Sequence, residues 1–94
     1  MKLSEKHYIN LFGTVVPIKE LNGAFATESV DGYWHGKLYE IHISKGSSEE
    51  FTEELIWHEI IEAFNEIRVC NLNHDQITML GNFLAEFNRE NSDA

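Results

Sequence analysis

The chain has 94 residues, 43% hydrophobic and 12% aromatic, which suits one small domain with a modest core and argues against two domains or wholesale disorder. Sixteen Asp and Glu against seven Lys and Arg leave a net charge of −9. Nucleic acid and anionic membrane surfaces are therefore disfavoured as partners, because both are held by Lys and Arg. No apolar run approaches the roughly 18 residues of a membrane span, and the polar segment from Met1 to His7 is unlike a signal peptide. The single cysteine, Cys70, reads as a reduced thiol. The expectation is a non-secreted, cytoplasmic protein.

Every glycine but Gly81, and the only proline, Pro17, falls in residues 1–47, among short β-branched and aromatic runs. Residues 48–90 are rich in Glu, Leu, Ile and Phe. This pattern predicts one α+β domain over 1–94, with strands within about 8–45 and helices over about 48–68 and 74–88. A small antiparallel sheet of about three strands would be followed by two packed helices. The first strand is expected over Asn10 to Lys19, with Pro17 at an edge or strand end. Asp31-Gly32 signals a turn, and Gly36-Lys37 a type II′ hairpin. In the returning strand Tyr39, Ile41 and Ile43 should face the core, with Leu38, Glu40 and His42 on the other side.

Ser47 with Glu50 three residues later reads as a capping box that opens the first helix. On that helix Trp57, Ile60, Ile61, Phe64 and Ile67 form an apolar stripe expected to pack on the sheet. Asn73, with Gln76 at its third helical position, should cap a second helix that opens at His74 and turns Ile77, Leu80, Leu84 and Phe87 to one face. The tail from Asn88 to Ala94 is polar and should fray.

The chemistry concentrates in His58-Glu59-Ile60-Ile61-Glu62. His58 and Glu62 lie four apart, on one helix face, where two side chains can grip one ion. This is the geometry of the helical H-E-x-x-H zinc motif, with Glu in place of its second His, and a carboxylate is still a zinc ligand. His74 is the best third ligand, since a short connector brings the start of the second helix back toward the end of the first. The set is then His₂Glu, with an open fourth position. Glu59 corresponds to the general base of H-E-x-x-H peptidases. The strand from Leu38 to Ile43 could supply an edge for an extended peptide. Against this stands a plainer reading, in which Glu59 and Glu62 are solvated helix carboxylates, His74 has no partner, and His35 and His42 are surface strand residues.

The segments Gly32-Tyr33-Trp34, Ile41-His42-Ile43, Leu55 to Ala63 around His58-Glu59, and Leu72 to Ile77 resemble minimal gluzincin-type proteins. These are small, often phage- or prophage-encoded relatives of the IrrE-type zinc peptidases. The resemblance covers roughly residues 30 to 87. It implies a zincin-like minimal core, zinc between the two helices, zinc-activated water, and a peptide or protein substrate. This chain departs from the family in reading H-E-x-x-E, with Glu62 and His74 exchanging ligand types. The rival expectation is a non-catalytic acidic interaction or inhibitor protein of phage origin, carrying a degenerate or structural metal site.

Overall fold

A computed structural model describes residues 2–21, 32–44, 46 and 48–92. The fold is α+β, with the sheet first and two packed helices after it. A 3-10 turn at Leu3–Glu5 leads into β1 (Tyr8–Leu11), β2 (Thr14–Leu21), β3 (Gly32–His35) and β4 (Glu40–Ser44). Helix α1 spans Glu49–Arg68 and helix α2 spans His74–Glu90.

Among the described residues the sheet has four strands rather than about three, in the order β1-β2-β4-β3, and it is mixed: β2 and β4 run parallel. The single strand expected over Asn10 to Lys19 is a hairpin. Phe12 (φ 53°) and Gly13 (φ 78°) are both left-handed, as a two-residue primed turn requires. Phenylalanine is an unusual residue there, so the sequence carried only half of the turn signal. Pro17 does not end the strand. It pairs with Tyr8 as the last contact with β1, and parallel pairing with β4 begins at Ile18. A residue without an N–H thus sits where β2 changes neighbours. Gly32 opens β3, while Asp31 lies outside the described residues. The hairpin between β3 and β4 closes at His35↔Glu40 across four turn residues, with Tyr39 left-handed at φ 54°. It is therefore longer than a two-residue type II′ turn.

Alternation along the strands splits the sheet into two faces. Val16, Ile18, Trp34, Ile41 and Ile43 are buried with Ile56 and Ala63 of α1 in one core cluster, and Tyr39 packs against it. The other face carries Tyr33, His35, Glu40 and His42. There the His42 ring nitrogen lies 2.9 Å from Glu40, which also takes the Lys19 ammonium at 3.0 Å. These two partners, the imidazole first, hold the Glu40 carboxyl below its usual range. β4 lies between β2 and β3, so it offers no free edge to a peptide, contrary to the sequence expectation. Among the described residues the outer strands are β1 and β3.

Both helices end where expected at most termini, and their caps explain why. Ser48 caps α1, its hydroxyl accepting the Phe51 N–H at 3.2 Å; Ser47, proposed for that role, lies outside the described residues. Val69, left-handed at φ 53°, closes the C-terminus of α1. Asn73 and Gln76 form the expected reciprocal capping box on α2, at 2.8 and 2.9 Å. The connector is stapled to α1 through Asn65, whose side chain accepts the Leu72 N–H at 2.8 Å. Helix α2 carries on through Asn88 to Glu90 rather than fraying from Asn88. Cys70 is exposed with no disulfide, and no helix among the described residues is long and apolar enough to cross a membrane.

Candidate metal centre

Helix α1 has two buried sides, and the predicted apolar stripe coincides with them only in part: Ile61 is buried, and Trp57, Ile60 and Ile67 pack against the core cluster. Toward the sheet it turns Thr52, Ile56, Glu59 and Ala63. Trp57, Ile60 and Ile67 are only half-buried, at the margin of the core. Phe64 is exposed and stacks on Phe12. The stripe is displaced because a carboxylate, a hydroxyl and a methyl hold central positions that hydrophobicity alone would never assign to a core.

On its other side α1 meets α2 around one isoleucine and two small residues. The buried residues of α2 are Ile77, Gly81 and Ala85, whereas Leu80 and Phe87, expected to pack, are exposed. A Cβ on Gly81 would lie 3.0 Å from His58 Cα and 3.1 Å from His58 N. Absence of that carbon lets the two helix backbones approach at His58. His74 lies two turns before Gly81 on the same side of α2. The His58 and His74 rings accordingly meet edge to face, with centroids 5.5 Å apart.

His58 is half-buried, and desolvation pulls its pKa below the ordinary value of 6.5. Glu62 opposes that shift and His74 reinforces it, so both groups act on the same imidazole. A depressed pKa leaves His58 neutral at pH 7, the form that can donate a lone pair to a cation. Phe51 and Val69 are exposed, and Leu55 packs against the core cluster.

Glu59 is not a solvated carboxylate. Its residue is only 5% exposed, and its oxygen lies 2.9 Å from where a Cβ on Gly32 would be. The carboxyl accepts the backbone N–H of Trp34, but burial, aided by the neighbouring Glu62, pushes its pKa up to about 8. Glu59 thus stands between the edge strand β3 and the side of α1 that carries Glu62. Gly32 and Gly81, which make room for Glu59 and His58, escaped the sequence reading. An isolated glycine inside a helical pattern is the signal that could have found Gly81.

His35 and His42 do not join this group. They lie on the sheet face turned away from the helices, with ring centroids 5.9 Å apart. Of the residues expected to bind metal, His58 and His74 are in ring contact and Glu62 acts on His58 electrostatically. Two imidazoles bound to one tetrahedral zinc at about 2.0 Å have centroids about 5 Å apart, close to the separation seen. Imidazole and carboxylate are both donors that zinc accepts. Among the described residues no group of three or more His, Cys, Asp or Glu, the set His58, Glu62 and His74 included, is placed so that it could hold a metal ion. Comparison with protein families, with characterised proteins and with solved structures finds no match to this chain.

Proposed function

We propose that the protein is a gluzincin-like divalent-metal protein that uses His58, Glu62 and His74 to hold zinc and acts as a metallopeptidase on peptide or protein amide bonds. The observation that carries this reading is the 5.5 Å approach of the His58 and His74 rings beside Glu62. The resemblance to phage-type gluzincins supports it further. The third donor, Glu62, is one helical turn from His58 and would turn toward the imidazole pair on binding. Zinc in such a site supplies a Lewis acid that activates water. Glu59 is the proton-handling group. With its pKa near 8, its carboxyl is mostly protonated at pH 7 and fixed by the Trp34 N–H. A cation beside Glu62 favours the ionised form, because an opposite charge within a few ångströms stabilises the anion. Glu59 then accepts a proton and can return it to a leaving amine.

The test is elemental analysis of protein purified without an affinity tag. About one zinc per chain is expected for the wild type, and substantially less in Glu62→Ala and in His74→Ala. Full occupancy in the Glu62 variant would overturn the ligand set. A second reading, a non-catalytic acidic interaction or inhibitor protein of phage origin with a structural metal, draws on the net charge of −9. Chelation separates the two: it unfolds the domain if the metal is structural, and abolishes only turnover if it is catalytic.

A further inference from the structure

Among the described elements α2 packs on α1 alone. Its buried side, with Ile77, Gly81 and Ala85, faces α1, so its opposite side is turned away from the rest of the fold. That outer side is apolar. Met79, Leu80, Phe83 and Phe87 recur at three- and four-residue spacing, as on a helix with a second packing stripe, and they are 71%, 41%, 59% and 53% exposed. The Phe83 and Phe87 rings already lie together, with centroids 6.0 Å apart. The ten residues between Leu21 and Gly32 are held in the sheet at both ends. Ten residues can run out and back over no more than about 20 Å, short of a face that lies beyond two helices of about 10 Å each.

The size of the stripe matches what a stable pairing requires. At about 200 Å² for a large side chain, the four residues at these exposures present roughly 450 Å² of apolar surface. An interface of standard size takes about 800 Å² from each partner, somewhat more than half of it non-polar. The stripe supplies that non-polar share, and the exposed Gln76, Glu86 and Glu90 supply a polar rim.

Charge distinguishes a second copy from a basic foreign helix. Helix α1 carries seven glutamates against Arg68, whereas α2 carries Asp75, Glu86 and Glu90 against Arg89. A cationic partner is therefore drawn to α1 rather than to this stripe. A weakly charged apolar face is complementary to another like it. Parallel pairing would set Glu90 against its own counterpart. Antiparallel pairing sets it beside the N-terminal end of the other α2, where the helix dipole favours a carboxylate.

We propose that two copies of this chain pair through the outer faces of α2, antiparallel about a two-fold axis near Leu80 and Phe83. Leu80 of each copy meets Phe83 of the other, and Phe87 packs over Gln76. The stripe shares no side chain with His58, Glu62 and His74, so the pairing stands or falls separately from the proposed function.

The test is sedimentation equilibrium of the full chain from about 1 to 500 μM. A dimer with a Kd below about 50 μM is expected. Phe83→Glu should weaken it at least a hundredfold while leaving the thermal midpoint of the dilute, monomeric chain unchanged, because Phe83 is exposed in the monomer. If that variant does not fold, Met79→Glu, at the most exposed position of the stripe, carries the test with the same expectation. Raising NaCl from about 0.05 to 0.5 M should tighten the dimer about threefold, because two chains of net charge −9 repel each other less. A chain monomeric to about 500 μM, a dimer indifferent to the stripe variant that folds, or a dimer that loosens with salt would each overturn the proposal. So would a monomer that instead binds a synthetic Leu/Lys amphipathic helix or phosphatidylcholine vesicles through Phe83.

Discussion

The two buried sides of α1 solve opposite packing problems. Toward the sheet, Ile56 and Ala63 enter a continuous apolar core, yet the same side also buries Glu59 with a single backbone donor, the Trp34 N–H. Toward α2, Ile77 is buried beside two small residues, Gly81 and Ala85, and Gly81 lets the backbones close in at His58; this proximity brings two imidazoles together. One side holds a titratable group by desolvating it. The other holds two by bringing helices near. Stability measurements should respond differently to the two.

The largest effect should come from Glu59. Its folded-state pKa is raised from 4.5 to about 8, so over that interval the folded chain keeps a proton that the unfolded chain releases. Stability from this group is full at low pH and is lost as pH rises toward 8, at about 1.4 kcal/mol per pH unit. His58, with its pKa lowered from 6.5, works in the opposite sense, gaining stability as pH rises to its ordinary value. The interval from about 6.5 to 8 therefore isolates Glu59. Glu59→Gln keeps an acceptor for the Trp34 N–H and removes the ionisation. It should raise stability by about 3 kcal/mol at pH 7 and flatten the profile, as read by denaturant unfolding in chelator across pH. A variant less stable than the wild type, or an unchanged slope, would break the sheet-side half of the comparison.

Gly81→Val comes next. A side chain there collides with His58 backbone atoms, and overpacking of this kind costs about 2 kcal/mol. The same substitution should separate the His58 and His74 rings, read as loss of the nuclear Overhauser effect between them. Loss of stability with the ring contact intact would sever the proposed link between close helix approach and the imidazole pair. Asn65→Ala should cost about 1.5 kcal/mol, because the Leu72 N–H loses its acceptor in a half-buried connector. Asn73→Ala, which removes only the α2 cap, should cost about 1 kcal/mol. Both are checked by thermal unfolding, and a smaller effect at Asn65 than at Asn73 would mean that the connector does not hold α2 in place.

Features governed by short-range physics could be read directly. The span of α1, the start of α2, the Asn73–Gln76 box and the inward-facing Ile41 and Ile43 all follow from residues within one or two turns of each other. The one-turn spacing of His58 and Glu62 belongs to the same class. The split of residues 8–21 into two strands was hidden by Phe12 in a left-handed turn position. The orientation of α1 was hidden by Glu59, Thr52 and Ala63, whose polarity or small size removes them from any stripe drawn by hydrophobicity. The central placement of β4 depends on its parallel pairing with β2, a contact between distant segments that alternation does not encode.

The amino-acid order alone determined that this chain makes strands and then two helices, and it set an imidazole and a carboxylate one turn apart, because periodicity and capping act over a few residues. Only the tertiary structure decided that Glu59 is desolvated, that Gly81 admits the His58 backbone, and that His74 reaches the His58 ring. Those outcomes depend on how two helices and a sheet meet, and packing of distant surfaces is settled by shape and burial rather than by any local signal.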